Sequence, residues 1–169
     1  MKFDVIIIGG DHNDAAEGLR YIAEGKTACL IAKGGLIGAP PTARAEFARK
    51  GTLLCSDEVA AVEYKADGSV QSIETVNLKG TKLTADLYVL AAGRFVSGGL
   101  RSDMDKVWEP VFGADVEYAK DPEQWCDEDF FAPQPFEKFG VLTSPDGHVL
   151  KGGMPVANLM AFGEIIAKK

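Results

Sequence analysis

A glycine-containing turn near the start of the chain has the residue types and spacing of an anion-binding site. Gly9 and Gly10 follow the apolar, β-branched run at residues 3–8, and a helical pattern begins at Asp14. A strand, a glycine turn and a helix in this order open a dinucleotide-binding unit, in which pyrophosphate sits at the helix N-terminus. The sequence therefore predicts such a unit within residues 1–32.

Two acidic residues stand where this turn needs glycine. The G-x-G-x-x-G fingerprint begins at Gly9, so its second and third glycines correspond to Asp11 and Asp14. Two unit charges about 4 Å apart repel each other by about 4 kcal/mol at an effective dielectric of about 20. Both residues are also favoured N-cap residues, and the helix dipole stabilises carboxylates at this end. The turn is therefore either a weakened cofactor site or a turn that caps its own helix.

Two later segments complete the candidate cofactor-binding residues. A buried apolar run ends in Ala91, Ala92 and Gly93, where small side chains let the backbone pass close to a cofactor. Gly163 and Glu164 follow the last apolar run, where a carboxylate can bind a ribose or ribityl hydroxyl. Each segment is also explained as an ordinary strand ending in a turn. Their order after the first turn is that of flavoproteins with two dinucleotide folds, and no catalytic base is identified.

The periodicity of the chain predicts an α/β fold. A Rossmann-like βαβ unit opens a partly parallel sheet, and an antiparallel β-hairpin is inserted later. A glycine- and proline-rich connector is predicted at residues 33–41, and an irregular segment held by aromatic packing at residues 96–147. The predicted strands are 4–8, 26–32, 52–55, 57–64, 69–76, 81–85, 87–91 and 156–162, and the predicted helices are 14–24 and 41–48.

The composition excludes several classes of partner. With 169 residues and a net charge of −7, the chain suits one acidic domain that binds neither nucleic acid nor anionic membrane unaided. Three scattered cysteines predict reduced core thiols in a cytosolic protein, and two histidines are too few for a His-rich metal site. No signal peptide or membrane-spanning run is evident, so any membrane association would require a partner.

Two smaller features also carry groups that can do chemistry. The acidic run at residues 127–129 is either a metal or acid/base cluster or a solvated loop, and its spacing favours the loop. Arg94 directly follows Gly93. It is either placed to meet a phosphate or is a surface or ion-paired residue.

Several blocks of the sequence resemble the family of the anaerobic glycerol-3-phosphate dehydrogenase B subunit. The block at residues 109–116 is much more specific than the glycine turn. The matching segments are 1–10, 86–116 (notably 95–100 and 109–116), 130–131, 134–135, 139–141 and 158–163.

The resemblance implies a single FAD/NAD(P)-binding-like domain over residues 1–169, with FAD or FMN as its cofactor. In the intact family, the enzyme takes hydride equivalents from glycerol 3-phosphate and passes electrons through flavin and iron–sulfur centres to a quinone. Other dehydrogenase subunits are thus the implied partners, and the implied location is cytoplasmic, peripheral to the inner membrane through those subunits.

Family members are far longer than this chain. We therefore expect an internal shortening after about residue 34 and a truncation at the C-terminus. The alternative to a flavoprotein subunit is a flavin-free structural or interaction module whose cofactor site has degenerated.

Overall fold

The structure, a computed structural model, describes residues 1–33 and 41–169, with the backbone alone at residues 12, 41 and 42. Most of the predicted connector lies outside the described residues. The strands are β1 (Lys2–Gly9), β2 (Ala28–Ala32), β3 (Thr52–Cys55), β4 (Val59–Tyr64), β5 (Val70–Thr75), β6 (Thr84–Leu90), β7 (Arg101–Ser102), β8 (Val107–Trp108), β9 (Val116–Glu117), β10 (Gly140–Val141), β11 (His148–Lys151) and β12 (Met154–Ala161). The helices are α1 (His12–Ala23) and α2 (Pro41–Lys50), and 3₁₀ turns span Pro122–Gln124, Pro135–Lys138 and Gly163–Ile165.

The main sheet of the described chain has the order β11-β12-β6-β1-β2-β3. Its neighbouring strands are parallel except for the antiparallel β11–β12 pair. The α/β class, the βαβ opening and the partly parallel sheet are thereby confirmed. Because the carboxyl ends of parallel strands meet at one edge, the segments that follow β1, β2, β3, β6 and β12 lie along the same edge.

Strand β1 is buried on both faces, which explains its unbroken apolar run. Val5 and Ile7 pack with residues of α1 and α2, including the fully buried Phe47. Ile6 and Ile8 point the other way, into the larger cluster formed with the hairpin and the segment after β6. The central strand therefore holds two apolar layers together.

Close packing of the two helices depends on Gly18. A Cβ at this position would overlap the ring of Phe47 and come within 3.4 Å of Ile7 Cδ1. Helix α1 ends just before Gly25, which has a φ of 84° and provides the left-handed residue predicted to stop the helix.

The antiparallel hairpin is present as β4 and β5. The side chain of Asn158 in β12 fixes its position against the sheet. Asn158 Oδ1 accepts from the Val70 N–H at 2.8 Å, and Asn158 Nδ2 donates to the Val70 carbonyl at 2.8 Å. The two strands predicted at 81–85 and 87–91 are instead the single strand β6, because the intervening Asp86 is exposed and does not interrupt the pairing.

The segment between β6 and β11 is ordered mainly by aromatic packing, as predicted. Tyr118, Trp125 and Phe139 make mutual edge-to-face contacts with ring centroids 6.1–6.3 Å apart. Strand β11 was not predicted. It forms because the chain turns back at Gly152 and Gly153, which have φ angles of 59° and 76°, so that β11 pairs antiparallel with β12.

The prediction of three core cysteines is wrong for two of them. Cys29 is buried in β2, and burial raises the pKa of its thiol to about 12. Cys55 and Cys126 are exposed. Cys55 is the last residue of β3 and reaches solvent at the sheet edge, whereas Cys126 lies in a surface turn.

Candidate functional site

The structure brings the three predicted cofactor segments together at one edge of the sheet. Ile8 pairs with Leu90, and Leu90 pairs with Ala161, so the residues that follow these positions lie side by side. The Ala91 N–H donates to the Ile8 carbonyl at 2.7 Å, and the Phe162 N–H donates to the Leu90 carbonyl at 2.9 Å. The three segments, which are far apart in the sequence, are therefore neighbours in the structure.

The first turn is closed by the carboxylate of Asp14. Asp14 Oδ2 accepts from the Gly10 N–H at 2.6 Å and from the Asp11 N–H at 3.0 Å. The residue is only 3% exposed. Asp14 thus places a negative charge inside the turn, where backbone donors converge on an anion.

Asp11 completes a reciprocal cap at the start of α1. Its Oδ1 accepts from the Asn13 N–H at 2.8 Å and from the Asp14 N–H at 3.0 Å. Together the two side chains form a capping box, with Asp11 as the N-cap residue. The interpretation of both aspartates as helix-capping residues is confirmed. Four backbone N–H groups of the turn are bonded to carboxylates of the turn itself.

The environment of Asp14 changes its acidity. Burial raises the pKa of this carboxyl from its ordinary value of 3.8 to about 6. The N–H donors of Gly10 and Asp11 oppose the increase, and the charge of Asp11 adds to it. At neutral pH the carboxylate is mainly ionised, so the turn already contains its own anion.

Gly9 is required by this closed turn itself. A Cβ at position 9 would overlap the Asp14 carboxylate and lie 3.0 Å from the Ala91 carbonyl oxygen. The closed turn by itself therefore explains why glycine occupies the first position of the fingerprint, without a contribution from a ligand.

The Ala91–Gly93 segment also makes close contacts within the chain. Gly93 has a φ of 67°, and a Cβ at Gly99 would overlap its carbonyl oxygen. The Ser97 hydroxyl donates to the Ala92 carbonyl at 2.6 Å. The small residues here allow a tight return of the chain, and their contact with a cofactor stays a prediction.

Gly163 and Glu164 lie at the start of the 3₁₀ turn after β12. Gly163 has a φ of 76°, and Glu164 is exposed. An exposed carboxylate at the carboxyl edge of the sheet is suitably placed to accept hydrogen bonds from hydroxyl groups, and this role also stays a prediction.

The two smaller candidates have structural roles. Arg94 is half-buried, and it donates to the carbonyls of Phe139 at 3.0 Å and Ile166 at 3.4 Å. These acceptors are distant in sequence and left no local signal. Contact of Arg94 with a phosphate stays a prediction. In the exposed acidic run, Asp127 Oδ1 accepts from the Asp129 N–H at 2.8 Å, which makes it a solvated turn. Among the side chains that the structure describes, which exclude that of His12, no cluster of His, Cys, Asp or Glu is arranged to hold a metal ion.

The family-like block at 109–116 is organised by a buried carboxylate. Glu109 is 2% exposed and accepts from the N–H groups of Val111 and Phe112, each at 2.7 Å, and of Ala114 at 3.2 Å. Burial raises the pKa of the Glu109 carboxyl, and the hydrogen bonds from these N–H groups oppose part of the increase. The Phe112 carbonyl in turn accepts from the Tyr64 hydroxyl at 2.6 Å. The block therefore joins the hairpin to the irregular segment.

Sequence comparison finds relatives that are named as the B subunit of anaerobic glycerol-3-phosphate dehydrogenase. The relative from Vibrio vulnificus (strain YJ016) is 36% identical over 119 residues, which cover 69% of this chain and 27% of the relative. The relative from Pectobacterium carotovorum subsp. carotovorum (strain PC1) is 43% identical over 84 residues, which cover 50% of this chain and 20% of the relative. This chain thus spans about a quarter of the length of such relatives.

Solved structures with partial likeness include the thioredoxin reductase of T. acidophilum, with a TM-score of 0.43 and 16% identity. That match covers 54% of this chain and 36% of the other. An oxidoreductase from Agrobacterium tumefaciens has a TM-score of 0.42 and 26% identity, over 55% of this chain and 37% of the other.

In the described part of the chain, no helix has the length and apolarity to cross a membrane.

The family model for an FAD binding domain matches residues 4–169. The parallel βαβ unit and the glycine at position 9 fit a dinucleotide such as FAD. The turn as it stands does not fit the pyrophosphate, because the carboxylates of Asp11 and Asp14 occupy the N–H groups that such a group needs. The match nevertheless extends over nearly the whole sequence, so the chain belongs to the FAD binding domain family.

Proposed function

We propose that this chain is the FAD-binding unit of a flavoprotein oxidoreductase, of the type represented by the B subunit of anaerobic glycerol-3-phosphate dehydrogenase. The observation that carries the proposal is the edge formed by residues 9–10, 91–93 and 163–164, which follow three adjacent parallel strands. Dinucleotides bind at such an edge in open α/β sheets. The family match over residues 4–169 and the relatives' names support the same function.

The finer parts of the proposal rest on the family resemblance. The chain forms one domain, the complete enzyme oxidises glycerol 3-phosphate, and electrons pass to a quinone through partner subunits. The relatives' names designate each of them as one lettered subunit of a dehydrogenase, which supports the existence of companion subunits. A cytoplasmic position at the inner membrane, held by those companions, belongs to the same proposal.

The residues of this chain would position the cofactor and would not transfer protons. Gly9 and Gly93 would let the backbone approach the cofactor, and Glu164 would accept a hydrogen bond from a sugar or ribityl hydroxyl. Asp11 and Asp14 would have to release the turn before a pyrophosphate reached its N–H groups.

A flavin-free structural or interaction module is the second candidate. The capping box favours it, because the turn is complete without a ligand and carries two carboxylates where phosphate would approach. In that case the fold keeps its sheet and helices while the edge no longer holds a dinucleotide.

Flavin binding separates the two candidates. We expect the purified chain to show flavin absorbance or to bind added FAD weakly, and Asp11→Gly combined with Asp14→Gly to strengthen binding. The control combines Asp105→Asn with Glu128→Gln, which removes two charges from exposed residues outside the three candidate segments. If the native chain and the double variant both stay colourless and leave FAD fluorescence unchanged, the flavin-free module is the correct candidate.

Anaerobic bleaching of bound flavin by glycerol 3-phosphate, with glycerol as control, tests the substrate.

A further inference from the structure

A buried arginine contacts an exposed cysteine at the same sheet edge. Arg44 in α2 is 6% exposed, and its Nη2 donates to the Sγ of Cys55 at 3.6 Å. Cys55 ends β3 and is exposed. Among the residues that the structure describes, the Nε and Nη1 atoms of Arg44 have no hydrogen-bond partner.

The charge of Arg44 is uncompensated within the described ranges. A guanidinium cannot lose its proton in a protein, and burying it without an anion is unfavourable. None of the ion pairs formed by residues 1–33 and 41–169 includes Arg44. The side chain that accepts a hydrogen bond from its Nη2 is the thiol of Cys55.

A neighbouring guanidinium favours the thiolate form of a cysteine, and the thiolate is the form that attacks disulfides and electrophiles. Cys55 combines this neighbour with access to solvent. The other two cysteines lack one of these properties each: Cys29 is buried, and Cys126 is exposed but precedes the acidic residues 127–129.

We propose that the exposed thiol of Cys55, in contact with the guanidinium of Arg44, is a modification site for low-molecular-weight disulfides. In this reaction the Cys55 thiolate attacks one sulfur of the disulfide, and a new S–S bond forms as the old one breaks. The second half of the disulfide leaves as a thiolate, so Cys55 is oxidised and one small thiol is released.

The strand pairing determines how far Cys55 lies from the first turn. Cys55 pairs with Ala32, and Ala32 pairs with Gly9. Two strand spacings, about 10 Å, therefore separate Cys55 from the turn. A small adduct on its sulfur would stand on the same edge of the sheet as Gly9, about 10 Å from the first turn.

Competitive labelling of the whole chain tests the proposal. The chain is treated with limiting iodoacetamide at pH 7, and peptide mass spectrometry reads the labelling rate at each cysteine. We expect Cys55 to react about tenfold faster than Cys126 and Cys29 to be protected. Oxidised glutathione should add first at Cys55. Equal or slower labelling of Cys55 than of Cys126 would overturn the proposal.

Two comparisons remove the influence of the acidic residues beside Cys126. In the urea-unfolded chain Cys55 should label more slowly than in the native chain, since unfolding separates it from Arg44. Arg44→Met should slow Cys55 about fivefold or more, whereas Arg44→Lys should retain most of the rate. Continued protection of Cys29 reports that each variant is folded. A Cys55 that reacts faster after unfolding, or as fast in folded Arg44→Met, contradicts the pairing.

Discussion

The carboxylate of Asp14 accepts a hydrogen bond from the Gly10 N–H at 2.6 Å. This bond joins the end of β1 to the first turn of α1, at the point where an FAD binding domain would hold pyrophosphate. A buried carboxylate and a bound phosphate would use the same donors, so they exclude each other. The relative strengths of these two interactions decide whether the edge binds a dinucleotide.

The two aspartates should contribute unequally to this competition. Asp14 is buried and holds the two N–H groups nearest β1, whereas Asp11 is exposed. We expect Asp14→Gly to increase FAD affinity at least about tenfold, or about 1.4 kcal/mol, and Asp11→Gly to increase it less. Quenching of FAD fluorescence measures both, with circular dichroism as the check on folding. A larger gain from Asp11→Gly would show that Asp14 is not the main obstacle.

Stability should depend on pH through Asp14. Its pKa is about 6 in the folded chain and ordinarily 3.8, so the folded state binds the proton more tightly. The stabilisation from this proton is complete below about pH 3.8 and is lost as pH rises through about 6. Relative to Asp14→Asn, the native chain should lose roughly 2 kcal/mol of unfolding free energy between pH 4 and pH 7.5. Urea unfolding of both proteins measures the difference, and a flat or rising difference contradicts the assignment.

Removing Glu109 should be strongly destabilising. Glu109→Ala leaves three backbone N–H groups without their acceptor, at about 1–3 kcal/mol each when buried. We therefore expect a loss of at least about 3 kcal/mol, and a smaller loss for Glu109→Gln, whose amide oxygen still accepts. Glu128→Ala, at an exposed position, should change the unfolding free energy by less than about 0.5 kcal/mol. Similar urea midpoints for Glu109→Ala and Glu128→Ala would be inconsistent with this role.

Gly18→Ala tests whether helix packing outweighs helix propensity. Alanine is favoured over glycine inside a helix by about 1 kcal/mol, but its Cβ would overlap the buried ring of Phe47. We expect a net loss of about 1–2 kcal/mol. In a double-mutant cycle with Phe47→Leu, most of the cost of Gly18→Ala should disappear because the smaller side chain gives room. An unchanged cost in the Phe47→Leu background would place the strain elsewhere.

Local patterns were sufficient for the elements that depend on neighbouring residues. The first strand, α1, β2 and the hairpin have strong periodicity or turn residues, and their existence was predicted correctly with ends shifted by a few residues. Strand β11 was missed because its pairing is set by the return of β12 rather than by its own composition. N-cap preference gave self-capping as one interpretation of Asp11 and Asp14, and hydrogen-bond geometry was needed to establish it.

The long-range contacts had no comparable signal. The acceptors of Arg94 lie 45 and 72 residues away, and a charged residue after a glycine turn does not indicate backbone carbonyls as its partners. The burial of Arg44 was equally hidden, since a short helix with several charges predicts a solvated face. Exposure of Cys55 likewise depends on where β3 ends in the sheet rather than on its neighbours in sequence.

The capping box separates the folding of this chain from the supply of its cofactor. Many cofactor sites leave polar groups unsatisfied until the ligand arrives, so the empty protein is less stable than the loaded one. Here the N–H groups of Gly10, Asp11, Asn13 and Asp14 are satisfied within a span of five residues. The turn is complete as soon as this short segment folds. Formation of this turn therefore does not require flavin.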